Sequence, residues 1–246
     1  MFPALKAEFR KLLTVRTTYG YVAASLLFVL FFAGFIEGYH LKGVELLNPQ
    51  LLSQDVVGAL TSLPMVFGAV IAILLVTHEY RHNTIMYTLT TSNSRTKVLA
   101  AKFITITVFA LLLTTAIAVL GPLASILGVH LHGNTLAPQI INYHSLVWRA
   151  LLSGWTYVMM ALVLAVIIRN QIGAIVSLFI IPTIEQVLGL LVKDNMVYLP
   201  FSAQNAILGT PFRGNITHAH AALVAGGYLL VAWIVAWILF VRRDAN

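Results

Sequence analysis

Residues 17–36 read TTYGYVAASLLFVLFFAGFI, with no Asp, Glu, Lys or Arg between Arg16 and Glu37. Roughly 20 such residues make a helix long enough to cross the hydrocarbon core of a bilayer. Five further stretches qualify, at about 57–77, 103–129, 146–168, 171–192 and 222–241. The third carries Gly121-Pro122 and is expected to bend there, and the fifth is interrupted by Pro182 and Glu185. The composition agrees: 59% of the 246 residues are hydrophobic and 9% are charged, against about 25% charged in a soluble domain. The fold class is therefore an all-α polytopic membrane protein with six transmembrane helices, read as one domain over 1–246.

The net charge of +7 is a topology signal, because cytoplasmic loops of membrane proteins hold an excess of Lys and Arg. Lys6, Arg10, Lys11 and Arg16 precede the first span, and Arg81, Arg95, Lys97 and Lys102 lie between the second and third. Arg169 sits between the fourth and fifth, and Arg242 and Arg243 follow the sixth. The opposite side receives only Lys42, Arg149, Lys193 and Arg213, together with Glu37, Glu45, Asp55, Asp194 and six histidines. This bias predicts both termini in the cytoplasm, which an even number of crossings requires. The charge is no nucleic-acid footprint.

Residues 1–18 are expected to form an interfacial amphipathic helix. Phe2, Leu5, Phe9 and Leu12 recur at helical spacing, with Lys6, Arg10 and Lys11 available to anionic headgroups. The first apolar run is too long for a signal peptide, and no A-x-A site follows it. There is no Cys, which excludes disulfides and thiolate chemistry. The segment 78–102 is too short for a catalytic domain, and no G-x-x-x-x-G-K-[ST] loop occurs.

That segment carries the chemistry. His78-Glu79-Tyr80-Arg81-His82 matches H-E-x-x-H, in which two His on one helical face bind zinc and the Glu acts as base. A membrane-embedded zinc metalloprotease using His78, His82 and Glu79 is one reading, although no downstream motif supplies a third ligand. The other reading starts from Glu79-Tyr80-Arg81, Thr84-Ile85, Leu89, Ser94-Arg95 and Lys102. Their order resembles the E-Y/F-x-x-G-T-I/L…L…P-x-S-R…K pattern after the second span of ABC-2-type transporter permeases. Asn83 stands where that pattern has Gly, and Ser92 where Pro is common. Glu8, Lys11 and Arg16 resemble the E-x-x-K…R arm of the same family. Tyr198-Leu199-Pro200 resembles its external segment, and Arg242-Arg243-Asp244 its ending.

The resemblance implies the membrane subunit of an ATP-driven exporter in a bacterial plasma (inner) membrane. Such a subunit performs no covalent chemistry, and ATP and Mg belong to a partner. The implied partners are two ABC ATPase subunits, a second copy of the chain or a related permease, and membrane lipids. The segment 78–102 becomes a coupling segment in which Glu79, Tyr80, Arg81, Thr84, Ser94 and Arg95 meet the ATPase. Spans one, two and five, with Pro182 and Glu185, become conduit or subunit interface for a lipid, peptide or hydrophobic small molecule.

An ionisable residue inside a span is a functional hypothesis by default, so Glu185 either works there or lies near the outer interface. The external segment 193–220 is too apolar for a plain loop and suggests half-helices around Pro200 and Pro211. His130-Leu131-His132 and His218-Ala219-His220, with His144, offer a metal or pH-sensing site if extended, because an i, i+2 pair on a strand shares a face. Asn215-Ile216-Thr217 fits a glycosylation acceptor incidentally. Gly68 and Gly154, among other glycines, are expected to permit close helix packing. Ser153-Gly154 lacks the G-x-S-x setting of an intramembrane serine protease.

Overall fold

A computed structural model describes residues 2–39, 49–92, 94–131, 133, 143–208 and 216–243. The expectations placed on His40, Lys42, Glu45, His132, Pro211, Arg213, Asn215 and Asp244 lie outside them. Every regular element among the described residues is helical, and six helices are long and apolar enough to cross a membrane.

The chain opens with α1 (Phe2–Thr14), breaks at Val15 in extended backbone, and enters the first span as α2 (Arg16–Val29). A π-helical stretch, Leu30–Tyr39, continues that span. The second span is α3 (Pro49–Arg81), followed by the short α4 (Ile85–Ser92) and the third span α5 (Arg95–Leu131). Then come α6 (Tyr143–Ile168), α7 (Gln171–Val192), a 3₁₀ turn (Lys193–Tyr198), α8 (Pro200–Leu208) and α9 (His218–Arg242).

α5 differs from its expected span. Its 37 residues extend about 55 Å at 1.5 Å each, well beyond a hydrocarbon core of about 30 Å. The excess is at the basic end, where 95–102 forms the first two turns of the same helix. α9 also starts earlier than expected, so His218 and His220 lie in its first turn. On a helix an i, i+2 pair points to different sides. His218 Nδ1 lies 3.2 Å from the Ala206 carbonyl oxygen, and the His220 ring packs edge-on to Tyr198. These two do not form the shared-face pair that an extended segment would give.

The core is built from α3, α5 and α6. Met65, Ala69, Ala72 and Ile73 of α3 meet Ile106 and Ala110 of α5 and Met159, Leu162 and Ala165 of α6, all essentially inaccessible. Small residues permit the approach. A Cβ at Gly154 would stand 2.6 Å from Thr114 Oγ1, so α6 touches α5 there at near-backbone distance. α2 with its π-helical continuation, α7 and α9 lie around this core and keep Leu27, Phe31, Ile180, Leu191, Leu223 and Leu230 exposed. An exposed apolar flank is what a lipid solvent or a second subunit requires of a spanning helix.

Both chain ends reach the same end of the bundle. α1 packs on α5, and the end of α9 meets the start of α5. This is the end to which the basic residues belong.

Candidate functional site: ion quartet and arginine clasps at the basic end

α1 turns its Glu8–Leu12 edge to the bundle. Phe2 is 79% exposed, whereas Glu8 and Leu12, one turn apart, are its buried residues. Leu5 and Phe9 are intermediate, and Lys6 and Arg10 are exposed. Charge pairing decides the rotation.

Glu8 meets two lysines and, through them, Glu79. Lys102 Nζ lies 2.9 Å from Glu8 Oε2 and 2.9 Å from Glu79 Oε1. Lys11 Nζ lies 2.8 Å from Glu8 Oε1 and also contacts Glu79 Oε1. Lys102 completes its three donors with a 3.1 Å hydrogen bond to the Leu75 carbonyl. Two carboxylates and two ammonium groups, neutral in sum, thus tie α1 to the end of α3 and the start of α5. Lys102 has no exposed surface, Glu8 1% and Glu79 5%. Burial of an ion costs several kcal/mol, and such a cluster survives only because every charge is shared. Burial by itself lowers the Lys11 pKa, but Glu8 and Glu79 outweigh it and hold the group above its ordinary value of 10.5. Lys11 therefore stays charged throughout the neutral range.

The turn after α3 explains the departure at Asn83. α3 ends in a Schellman motif: the Thr84 N–H donates to the Glu79 carbonyl at 2.9 Å and the Asn83 N–H to the Tyr80 carbonyl at 3.3 Å. This closure puts Asn83 at φ 54°, the left-handed region. Gly has no cost there, and Asn is the commonest substitute.

Arginines close the same end. Arg95 donates to the carbonyls of Val241 at 3.1 Å and Arg243 at 2.6 Å. Arg243 returns a 3.0 Å bond to Ile167, at the end of α6. Arg169, in the tight α6–α7 turn at φ 57°, reaches the Leu239 carbonyl at 3.4 Å. Its guanidinium also lies 5.2 Å from the centre of the Tyr80 ring. These cations sit where helix C-termini leave carbonyls unpaired and the macrodipole is negative. Asn170 caps the start of α7 by accepting from the Gly173 N–H at 2.9 Å.

The residues expected to face a partner thus divide. Glu79 and Arg95 turn into the chain, Tyr80 packs beneath Arg169, and Thr84 closes the turn. Arg81 is exposed, and α4 adds Met86 and Tyr87, 51% and 75% exposed. Sequence reasoning missed Glu8 and Lys102 as a pair. Their signal was the occurrence of one motif acid and one motif base in each of two distant stretches.

His78 and His82 do share a face, with ring centres 4.4 Å apart. Glu79 is on another side of the helix, held by two ammonium groups, and is not placed to activate a water between them. Among the described residues no group of three His, Asp or Glu is arranged to hold a metal ion.

At the opposite end, Glu185 is 4% exposed. It accepts from the Phe201 N–H at 3.1 Å, the Ser202 N–H at 2.8 Å and the Ser202 hydroxyl at 3.0 Å. It therefore caps the N-terminus of α8, where unpaired N–H groups and the helix dipole favour an anion. Nearby, Pro182 helps to line a cavity of about 530 Å³ with Phe67, Tyr157, Phe179 and Phe201. Its wall is formed by α3, α6, α7 and α8. α8 is held to α6 by Gln204, whose side-chain amide donates to Ser153.

No individual curated protein matches the chain. Residues 4–185 match the family model described as ABC-2 family transporter protein. The matched region starts within α1, spans the quartet and the turn after α3, and ends on the capping glutamate. The chain is therefore an integral membrane protein with six candidate spans that belongs to the ABC-2 family of transporters, a transport subunit with no catalytic role of its own.

Proposed function

We propose that the chain is the permease of an ATP-driven exporter and works with two separate ABC ATPase subunits and a second copy of itself or a related permease. The observation that carries this is the mounting of α4. It projects between α3 and α5 with Met86 and Tyr87 outward, and both neighbouring helices enter the buried quartet. A partner pressing on α4 would move α1, α3 and α5 together, because separating them exposes unpaired buried charges.

The positive-inside rule places this end in the cytoplasm, the side on which ATP is available, and a bacterial inner membrane suits the architecture. ATP and Mg belong to the ATPase. The chain's part is to shift between two packings for which ATP-bound and ATP-free partners have different affinities. The apolar cavity beside Pro182 favours a lipid, a peptide or a hydrophobic small molecule as cargo. Glu185 helps to shape that region by holding α8.

The direct test is co-purification with an ABC ATPase encoded beside this chain. The wild type is expected to retain the ATPase. The exposed pair Met86→Glu/Tyr87→Glu should lose it while remaining monodisperse. Equal retention by both would remove α4 as the docking element, and no association with any such ATPase would remove the reading.

A further inference from the structure

The basic end contains a cavity whose lining overlaps the coupling segment at Glu79, Arg81, Thr84 and Tyr87, and whose depth the coupling role does not explain. It has a volume of about 590 Å³ and is walled by α1, α2, α3, α4 and the first residue of α7. Pockets of roughly 300–1,000 Å³ take ligands of small-molecule size.

The α3 wall has a gradient. Ile71, Leu74 and Leu75 line its deeper part, and His78 and Arg81 its rim. These residues recur at i, i+3, i+4, i+7 and i+10, so one face of the helix passes from apolar to cationic over about 15 Å. Leu12 and Val15 extend the apolar part from α1 and the following link. Thr84 and Thr88 add hydroxyls at the rim.

The rim also has a net charge. Glu79 lies at the wall; its Oε1 is matched by Lys11 and Lys102 within a neutral quartet, while its Oε2 is buried with no hydrogen-bond partner, so a phosphate must sit on the Arg81 side of it. Arg81 is exposed and has no carboxylate partner among the described residues. Lys11 also lines the cavity; it bonds to Glu8 and Glu79, and an ammonium has one N–H beyond two such bonds. The surplus is cationic and rich in donors, which suits a phosphate. The depth is apolar, which suits an acyl chain. The level is that of α1, whose exposed Phe2 and Leu13 place it at a membrane interface.

We propose that this cavity binds one anionic phospholipid from the leaflet at the basic end, with its phosphate at Arg81 and Lys11 and an acyl chain along Leu74 and Leu75. The lipid would fill the wedge between α1, α3 and α4 and act as a structural ligand of the coupling end. The proposal holds whatever cargo the transporter carries.

The test uses the full-length chain reconstituted in phosphatidylcholine vesicles doped with phosphatidylglycerol, then extracted and washed in detergent. Lipid that survives is counted per chain by native mass spectrometry. The wild type should retain one phosphatidylglycerol in preference to phosphatidylcholine. Arg81→Ala should weaken retention about fivefold or more, as expected for a loss of about 1 kcal/mol per basic residue near a lipid surface, and Arg81→Lys should restore most of it. Leu74→Trp should reduce retention by filling the deep part without changing any charge. Thermal unfolding of each variant before lipid addition shows that it is folded. Equal retention by wild type and both cavity variants would overturn the proposal. So would equal retention of phosphatidylcholine, or displacement by inorganic phosphate, which would mark a phosphate site with no acyl-chain component. Cross-linking of the unliganded cavity to a second copy or to the ATPase, unaffected by phosphatidylglycerol, would assign the surface to a protein and overturn it as well.

Discussion

Glu79 and Glu185 are both glutamates buried at helical positions near the two ends of the bundle, and the chain satisfies them by different means. Glu79 is neutralised by two lysines that come from α1 and α5. Among the described residues Glu185 makes no ion pair; two backbone N–H groups and one hydroxyl of α8 hold it. The first arrangement joins three elements far apart in sequence through long side chains. The second fastens one short helix to its neighbour through the backbone. Charges on flexible stems can exchange partners as helices shift, whereas backbone donors at a helix start are fixed in direction. The contrast teaches that burial of a glutamate can be met either by a charge-neutral cluster joining distant helices or by a directionally fixed backbone cap.

The largest expected effect comes from breaking the quartet. Lys102→Met leaves two carboxylates facing one lysine in a buried site. Loss of one partner from such a cluster typically costs 3–5 kcal/mol, and thermal unfolding in detergent should show it as a large drop in midpoint. The double variant Glu79→Gln/Lys102→Met should be less damaged than the sum of the singles, because it removes a charge of each sign. Additive losses would show that the four groups are not one unit.

Glu185→Gln tests the other side of the comparison at a smaller scale. The amide still accepts hydrogen bonds but loses the charge assistance, so about 1–3 kcal/mol of stability is expected to disappear. The loss should be located at α8, with faster hydrogen exchange at Phe201 and Ser202 and little change at α1. Equal exposure of α1 would mean that the two ends are not independent.

Asn83→Gly carries the smallest effect. The position already has φ 54°, so Gly should be neutral or stabilise by less than about 1 kcal/mol, whereas Asn83→Val should destabilise. A marked loss in the Gly variant would show that the Asn side chain, rather than the backbone shape, is what the turn needs.

Much of this was legible in the chain. The six spans follow from unbroken apolar runs, since a bilayer leaves few alternatives to a 20-residue helix. The family pattern was legible in Glu8, Lys11, Glu79, Arg95 and Lys102, and the match over residues 4–185 agrees with it. The purpose of those residues was not. Read in sequence, Glu79 and Arg95 look like surface charges next to a docking loop. In space, Glu79 meets two lysines and Arg95 caps the end of α9. Glu185 was legible as an anomaly within an apolar run, but its partners lie 16 and 17 residues away on a different helix.

The sequence by itself determined the membrane environment, the number of crossings and the clustering of positive charge, because these depend on local hydrophobicity and on charge counts. Asn83 stood in the sequence only as a departure from the family pattern, and the structure explains it by the left-handed backbone at that position. Only the tertiary structure decided which face of α1 turns inward, and that four charges of zero sum meet at one point. Pair energies depend on separation and burial, and neither is encoded in the order of residues before the helices are packed.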